Sequence, residues 1–397
     1  MKGFVKKATS DRRFWAVLYL LMALLSIVSI YEGIKNGLVW SQDFQYDAAT
    51  ALVNGYDPYD LSMDFDAGRL PDIEHLKGFY DYYDSLGTPQ RMEANQFPSL
   101  LYILTPYTLL PYGAARVLWV MTNIICTAVI IWLLKKTFMA RTDERLYPVF
   151  MMLMLAGTPW RNQIGVGQHT LFAFAFYLLA VYVSLDDSEE EGFCRALPAG
   201  LLLSLSYLKY TVTAPLALYF IYKRKWKAFI ISLIPHILLT GAAAYMLHEP
   251  YADMLIKPLK VASALAGEGS IDIGALTHGS PVGLVVTAAV MIFIFTAALI
   301  MPEGNDELFV SLAALLSLVM TYHRSYDFFI MIIVFGYFAT GRMKTAEIIY
   351  LITTLAFFFV LRVFHENVIS LTVSGALYYA CVISFVVISI DKIKRRR

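Results

Sequence analysis

FWAVLYLLMALLSIVSI, Phe14 to Ile30, runs for seventeen residues without a charge. Such a run suits the hydrocarbon of a bilayer better than the core of a soluble domain. The polar stretch DFQYDAATALVNGYDPYD, Asp43 to Asp60, follows shortly after it. Asp43 and Asp47 therefore stand just past a membrane span, where a carboxylate is costly unless water, a ligand or a partner accompanies it. That position points to chemistry at the membrane surface, and to an enzyme whose active site faces away from the cytoplasm.

Composition extends the reading to the whole chain. Of 397 residues, 58% are hydrophobic and 16% charged. A soluble protein of this size could not hide so much apolar surface, so the chain reads as an all-α polytopic membrane protein. A net charge of +1 argues against nucleic acid as a partner. Cys126 and Cys381 lie in apolar runs and Cys194 in a short polar loop, which gives neither a disulfide framework nor a thiolate metal site. Lys2, Lys6, Lys7, Arg12 and Arg13 precede the first span as in a signal peptide. Tyr31, Glu32 and Ile34 stand where small cleavage-site residues would be, so an uncleaved first helix is expected, a removed signal peptide being the alternative.

Apolar stretches recur at 14–34, 114–134, 146–158, 170–185, 196–208, 211–222, 228–247, 281–301, 307–321, 328–340, 345–362 and 371–390. They predict about twelve membrane segments, several shorter than the ~20 residues of a full span. Basic clusters test the count. Lys135, Lys136, Arg141 and Arg145 fall in one connection, Lys223, Arg224, Lys225 and Lys227 in another, and Arg342 and Lys344 in a third. The tail carries Lys392, Lys394, Arg395, Arg396 and Arg397. With twelve crossings and both termini cytoplasmic, all of these lie inside, as the positive-inside rule expects. The parity requires Ala196 to Tyr222 to break near Lys209, helped by Pro215, into two short helices meeting at an outward-facing turn. The expectation is one integral membrane domain over residues 1–397 with a large first outer loop, 35–97. Residues 159–169, 248–280, 322–327 and 363–370 are expected outside as well.

These outer segments hold most of the unusual polar residues: Asp43 and Asp47, Trp160-Arg161-Asn162-Gln163, Gln168-His169, Lys209, and His323-Arg324-Ser325-Tyr326-Asp327. Each has a structural alternative. Asp43 could cap a helix opening at Phe44, and Asp47 could pair with a cation. Lys209 could snorkel to the interface, and Arg161 and Arg324 could anchor loops to headgroups. His323 could be a surface histidine. Trp160, Tyr322 and Tyr326 could form an aromatic belt. Asp57-Pro58-Tyr59-Asp60 reads as a turn. Phe79, Tyr80, Tyr82 and Tyr83 are expected to lie on the membrane or cover the cavity.

The stretch Asp43 to Asp60 resembles the signature that follows the first helix in glycosyltransferase family 87, of the C-type superfamily of polyprenyl-phosphate-sugar-dependent transferases. NQFPSLLYILTPYTLLPYGAARVLWVMTN, Asn95 to Asn123, is similar to the family's aromatic-proline-proline stretch, with Ser99 at the second proline. GQHT, Gly167 to Thr170, resembles its Gly-Gln-x-Asn element with threonine last. LSYLKYTVTAPLALYFIYKRKWKA, Leu205 to Ala228, resembles its Lys-x-x-Pro helix pair with Pro215 displaced. YHRSYD, Tyr322 to Asp327, looks like its late outer loop.

The resemblance implies a C-type glycosyltransferase-like helical bundle. It also implies transfer of a sugar, mannose foremost, from a polyprenyl-phosphate donor to a lipid or glycan hydroxyl at the extracytoplasmic face of the cell membrane. Asp43 matches the general-base position, with Asp47 as a second catalytic candidate. The residues agree: one base and a stabilised leaving group suffice for a single inverting displacement. The departing phosphate is an anion, for which Lys209, Arg161, Arg324 and His323 are candidate partners. Gln168, Asn162 and Tyr46 complete the expected donor site. No cofactor and no metal are expected, because a monophosphate among cationic side chains does not demand one. A lipid-linked sugar transporter or flippase would place its ionisable residues at mid-membrane in repeated halves. A non-catalytic assembly factor would have no use for the acid–base cluster, and arabinose or glucose could replace mannose.

Overall fold

The computed structural model describes residues 11–40, 44–66, 70–185, 192–265, 271–277, 280–320, 323–339, 354 and 368–395. Among these residues all regular structure is helical. Six apolar helical runs are long enough to cross a bilayer: Arg12–Trp40 (α1), Tyr112–Lys136 (α5), Phe193–Tyr222, Trp226–Leu247 (α11), Pro281–Ile300 (α13), and Gly375–Lys394 within Val368–Lys394 (α16). A seventh is present if Thr158–Val166 (α7) and Thr170–Ser184 (α8), bent by 108° against each other, count as one.

Most of the twelve expected segments are present as helices, several of them short as expected, and fewer than twelve are full crossings among the described residues. Leu146–Ala156 (α6), α8 and Asp306–Met320 (α14) are half-length helices, and so is the run Ser325–Phe338, a 3-10 segment continued by Val334–Ala339 (α15). Apolarity alone does not separate a half-length helix from a crossing. The stretch expected at 345–362 lies outside the described residues, apart from the buried Thr354.

Phe193–Tyr222 is helical throughout but not straight. Phe193–Ser206 (α9) passes through a 3-10 turn, Tyr207–Lys209, into Tyr210–Tyr222 (α10), and Lys209 leaves helical dihedrals at φ −123°, ψ 63°. Gly200 lies against Ala228 and Ile231, and Ser204 Oγ is 3.0 Å from His236 Nε2. Hence α9 and α11 run parallel from the same end of the bundle, and α10 must return the chain to that end. The fold-back near Lys209 expected from the basic clusters is present.

That end is basic. Lys223 pairs with Asp306 at 3.1 Å, Arg141 with Glu307 at 3.8 Å, and Tyr222 donates to the Pro302 carbonyl. α14 rises from it through the middle of the bundle, and every residue from Leu308 to Met320 is buried. A helix apolar and buried on all sides belongs in a core rather than against lipid. α1 is held against α7 by Gly33 and Gly37: a Cβ on Gly37 would come 2.6 Å from the Ile164 carbonyl oxygen.

The opposite, loop end carries Tyr46–Val53 (α2), Pro58–Met63 (α3) and Glu74–Ser85 (α4), followed by short helical turns between Pro98 and Thr108. Phe79, Tyr80 and Tyr83 are buried here among Tyr46 and Tyr112. Of the two expected placements, this excludes lying on the membrane for these three and leaves that of a cover over the cavity. Residues 159–169, expected as an outer loop, are mostly the buried helix α7, which the apolar packing of Ile164 against α1 holds in place. Residues 248–280, also expected as loop, contain the helix Tyr251–Leu265 (α12).

Candidate active site

Three turns, each where a half-length helix stops inside the bundle, meet at one place. α7 ends on Gly167 in the left-handed region (φ 72°), and the chain bends through Gln168 and His169 into α8. The second turn presents Lys209. The third, His323 to Asp327, leads into the 3-10 segment Ser325–Ile333. The depth follows from helix lengths: α10, with 13 residues, lifts Lys209 ~20 Å from the basic end, whereas the 22 residues of α11 reach ~33 Å. Lys209 therefore sits about 13 Å below the top of α11, sunk into the bundle rather than at an outward-facing turn.

Asp327 organises the junction. Its Oδ1 accepts from Thr170 Oγ1 at 2.5 Å, while its Oδ2 lies 2.9 Å from His323 Nδ1 and 3.7 Å from Lys209 Nζ. The carboxylate is 1% exposed, and a buried charge persists only when paired and hydrogen-bonded. Because the carboxylate can only accept, His323 carries a proton on Nδ1. Lys209 Nζ also donates to Gln168 Oε1 at 3.0 Å and lies 5.5 Å from the centre of the Tyr326 ring. The ammonium is thus fixed in direction rather than snorkelling.

His169 ties this floor to the loop layer. Its Nε2 donates to the Phe44 carbonyl at 3.1 Å, its ring meets Trp119 edge-on, and Trp119 Nε1 donates to the Gly167 carbonyl at 2.8 Å. Asp43 lies outside the described residues. Asp47, in the first turn of α2, is buried: Oδ1 accepts from the Ala48 amide at 2.8 Å and Oδ2 from the Tyr80 hydroxyl at 2.9 Å. Burial pushes its pKa up to about 6 against the opposing effect of those two hydrogen bonds, and its contacts are to an amide and a hydroxyl rather than to a cation among the described residues. Tyr46 donates to the Leu110 carbonyl at 2.6 Å and packs among Phe44, Phe79 and Tyr112, as a brace of the loop layer.

Of the other expected residues, Gln168, Lys209 and His323 converge. Arg161 pairs with Glu32 of α1 at 3.1 Å, Asn162 Nδ2 donates to Ser325 Oγ at 3.1 Å, and Arg324 is exposed at the start of the 3-10 segment. Three residues central to the arrangement were not among the expected site residues: Asp327, Thr170 and Tyr80. The GQHT and YHRSYD elements contain the first two. Nothing local in sequence pairs them, since they are 157 positions apart.

Among the described residues, Asp57, Asp60 and Glu249 are the carboxylates close enough to share an ion. The Lys257 ammonium stands among them, 2.6 Å from Asp57, 3.0 Å from Asp60 and 3.4 Å from Glu249. Burial opposes its charge, but the hydrogen bonds from Asp57 and Asp60 outweigh that and hold its pKa above the ordinary lysine value. Asp57 also caps α3, accepting from the amides of Tyr59 and Asp60, the structural role its turn sequence suggests.

A fixed ammonium, a histidine on a carboxylate and a polar floor within an apolar bundle can hold an anionic headgroup and stabilise negative charge on a leaving oxygen. No curated protein and no solved structure matches the chain. A family model does, that of glycosyltransferase family 87, over residues 98–321. The matched region contains Gln168, Thr170 and Lys209, but not the stretch Asp43 to Asp60 nor His323 and Asp327. It covers more than half of the chain, which therefore belongs to glycosyltransferase family 87 and is a membrane glycosyltransferase.

Proposed function

We propose that this transferase moves a hexose, mannose foremost, from a polyprenyl monophosphate to a hydroxyl of a lipid or glycan acceptor at the extracytoplasmic face of the cell membrane. In this reading the basic end is cytoplasmic, following the positive-inside rule, and the loop end faces out. The acceptor oxygen attacks the anomeric carbon as the bond from that carbon to the phosphate oxygen breaks. The hydroxyl proton passes to Asp43, and the lipid monophosphate leaves. Inversion in one step needs no second carboxylate as nucleophile. Asp47 is then a neighbouring acid whose pKa burial raises, rather than the base itself.

The observation that carries the reading is the Lys209 ammonium, aimed by Gln168 and Asp327. It is sunk below the loop end, where a donor phosphate entering from the bilayer would meet it. At 3.7 Å Asp327 directs Lys209 without taking a hydrogen bond from it, which leaves ammonium protons for a phosphate. Lys209, His323 and Gln168 would hold the phosphate, and the flanking Phe44 and Trp119, stacked with ring centres 4.7 Å apart, would wall off the sugar.

Purified protein in vesicles, incubated with a panel of radiolabelled polyprenyl-phosphate sugars, tests the donor. Transfer from the mannosyl donor, with release of lipid monophosphate, is expected. Transfer only from an arabinosyl or glucosyl donor would overturn the sugar, and movement of donor across the bilayer without transfer would overturn the reaction. Asp43→Asn should abolish transfer while leaving donor binding intact; a wild-type rate would remove Asp43 as base.

A further inference from the structure

α12 is amphipathic in an unusual sense: both of its long faces are apolar. One face, Met254, Pro258 and Val261, is buried against the protein. The opposite face exposes Leu255 at 39%, Ile256 at 46% and Leu259 at 50%, with Lys260 at its margin. An apolar stripe on a helix in water is costly and calls for a cover. Continuity with the lipid-facing surface of the bundle identifies that cover. α11 exposes Ile234, Ile237, Leu238 and Tyr245 along its length, as a spanning helix facing lipid does, and α12 begins three residues after it ends. His248, in the left-handed region at φ 56°, turns the chain there.

We infer that α12 lies in the headgroup–acyl boundary of the bilayer at the loop end, with Leu255, Ile256 and Leu259 in lipid, and that Lys257 moors the loop layer to it. Lys257 projects between the two apolar faces onto Asp57 and Asp60, which cap and open α3. α3 follows α2, the helix of Asp47, after a short connection through Asn54 to Asp57. The membrane surface thereby sets the height of the loop layer above the polar floor, through one helix lying on lipid and one ammonium. The occupant is lipid, and Lys260 at the stripe's edge suits anionic headgroups.

The test places a nitroxide on cysteine at 255, 259 or 84 in a Cys194→Ser background, with the full chain in phosphatidylcholine–phosphatidylglycerol vesicles. Collision with oxygen is compared with collision with a water-soluble nickel chelate. Labels at 255 and 259 should meet oxygen several-fold more often than the chelate, whereas the label at Asp84, exposed on α4, should show the reverse. Preference for the chelate at 255 and 259 would overturn the inference, as would exclusion of both relaxants, the mark of a protein partner. Should a labelled variant fail to elute as a single species, Leu255→Trp read against wild type with brominated lipids replaces it. Quenching supports the placement and its absence refutes it. Mooring is read separately: Lys257→Gln should speed tryptic cleavage after Lys77 and Arg91 several-fold, and an unchanged rate would remove Lys257 as the tie.

Discussion

Lys209 Nζ and Asp327 Oδ2 lie 3.7 Å apart, while the same oxygen is 2.9 Å from His323 Nδ1. The carboxylate is thus bonded more closely to the His323 ring than to the ammonium, and Gln168, not Asp327, makes the shorter contact with Lys209. A tight hydrogen-bonded pair would occupy the lysine's donors. This looser one aims the ammonium and leaves its protons available to a phosphate.

Removing the organiser should therefore cost more than removing any single partner. Asp327→Asn keeps the volume but weakens the three contacts with Thr170, His323 and Lys209, and kcat/KM for transfer should fall on the order of 10²-fold. Thr170→Val removes one hydrogen bond to the carboxylate and should cost roughly tenfold, in line with ~1.5 kcal/mol for a bond to a charged group. Initial rates on a fixed donor series distinguish the two, and equal losses would contradict the hierarchy.

Lys209→Ala removes the expected phosphate contact and should raise KM for the donor, lower kcat, or both. Lys209→Arg keeps the charge but changes its shape from a point to a planar fork. Gln168 and Tyr326 already define the space for a point charge. Arginine should therefore restore less than a tenth of the lost kcat/KM. Full rescue would mean that charge alone, without direction, suffices.

How far this arrangement could be read beforehand depends on the range of the signal. The fold-back at Lys209 was legible because the basic clusters on either side of Ala196–Tyr222 demand it, a constraint that acts along the whole chain. The depth of Lys209 was not, because apolar runs of 13 to 15 residues look alike whether they reach the surface or stop inside. Asp327 was visible as a polar residue, but its partners Thr170 and Lys209 come from two other turns, and only tertiary packing of α8, α10 and α14 joins them. Tyr46, expected in the donor site, gives its hydroxyl to the Leu110 carbonyl, a partner 64 positions away that the sequence does not display. Asp43, the residue on which the motif reading rests most, lies outside the described residues.

Asp47 gives a pH signature. Its carboxyl, raised from 3.8 to about 6 by burial, binds its proton more tightly in the folded than in the unfolded chain. The stability this lends is complete below pH ~4 and is lost as pH rises through about 6. Asp47→Asn cannot ionise, so the difference in stability between variant and wild type should shift in the variant's favour between pH 4 and 7, by about 3 kcal/mol at most. Thermal unfolding of the two proteins in detergent across that range is the measurement. Parallel curves would show that Asp47 ionises as readily folded as unfolded.

The contact between α1 and α7 is the simplest to test, since two glycines on one face predict different outcomes. A methyl on Gly33 would lie 3.3 Å from the Arg161 carbonyl oxygen, a gap closed by a shift of a few tenths of an ångström. On Gly37 it would lie 2.6 Å from the Ile164 carbonyl oxygen, a backbone atom that cannot swing aside, and 3.1 Å from Cγ2 of the stiff β-branched Val120. Gly37→Ala should destabilise by roughly 1–3 kcal/mol, the usual cost of overpacking, and Gly33→Ala by less. Because Arg161 and Ile164 belong to the helix that leads into Gln168, prying α7 from α1 would also disturb the floor. Gly37→Ala should then lower transfer activity beyond its effect on yield, whereas Gly33→Ala should leave specific activity near wild type.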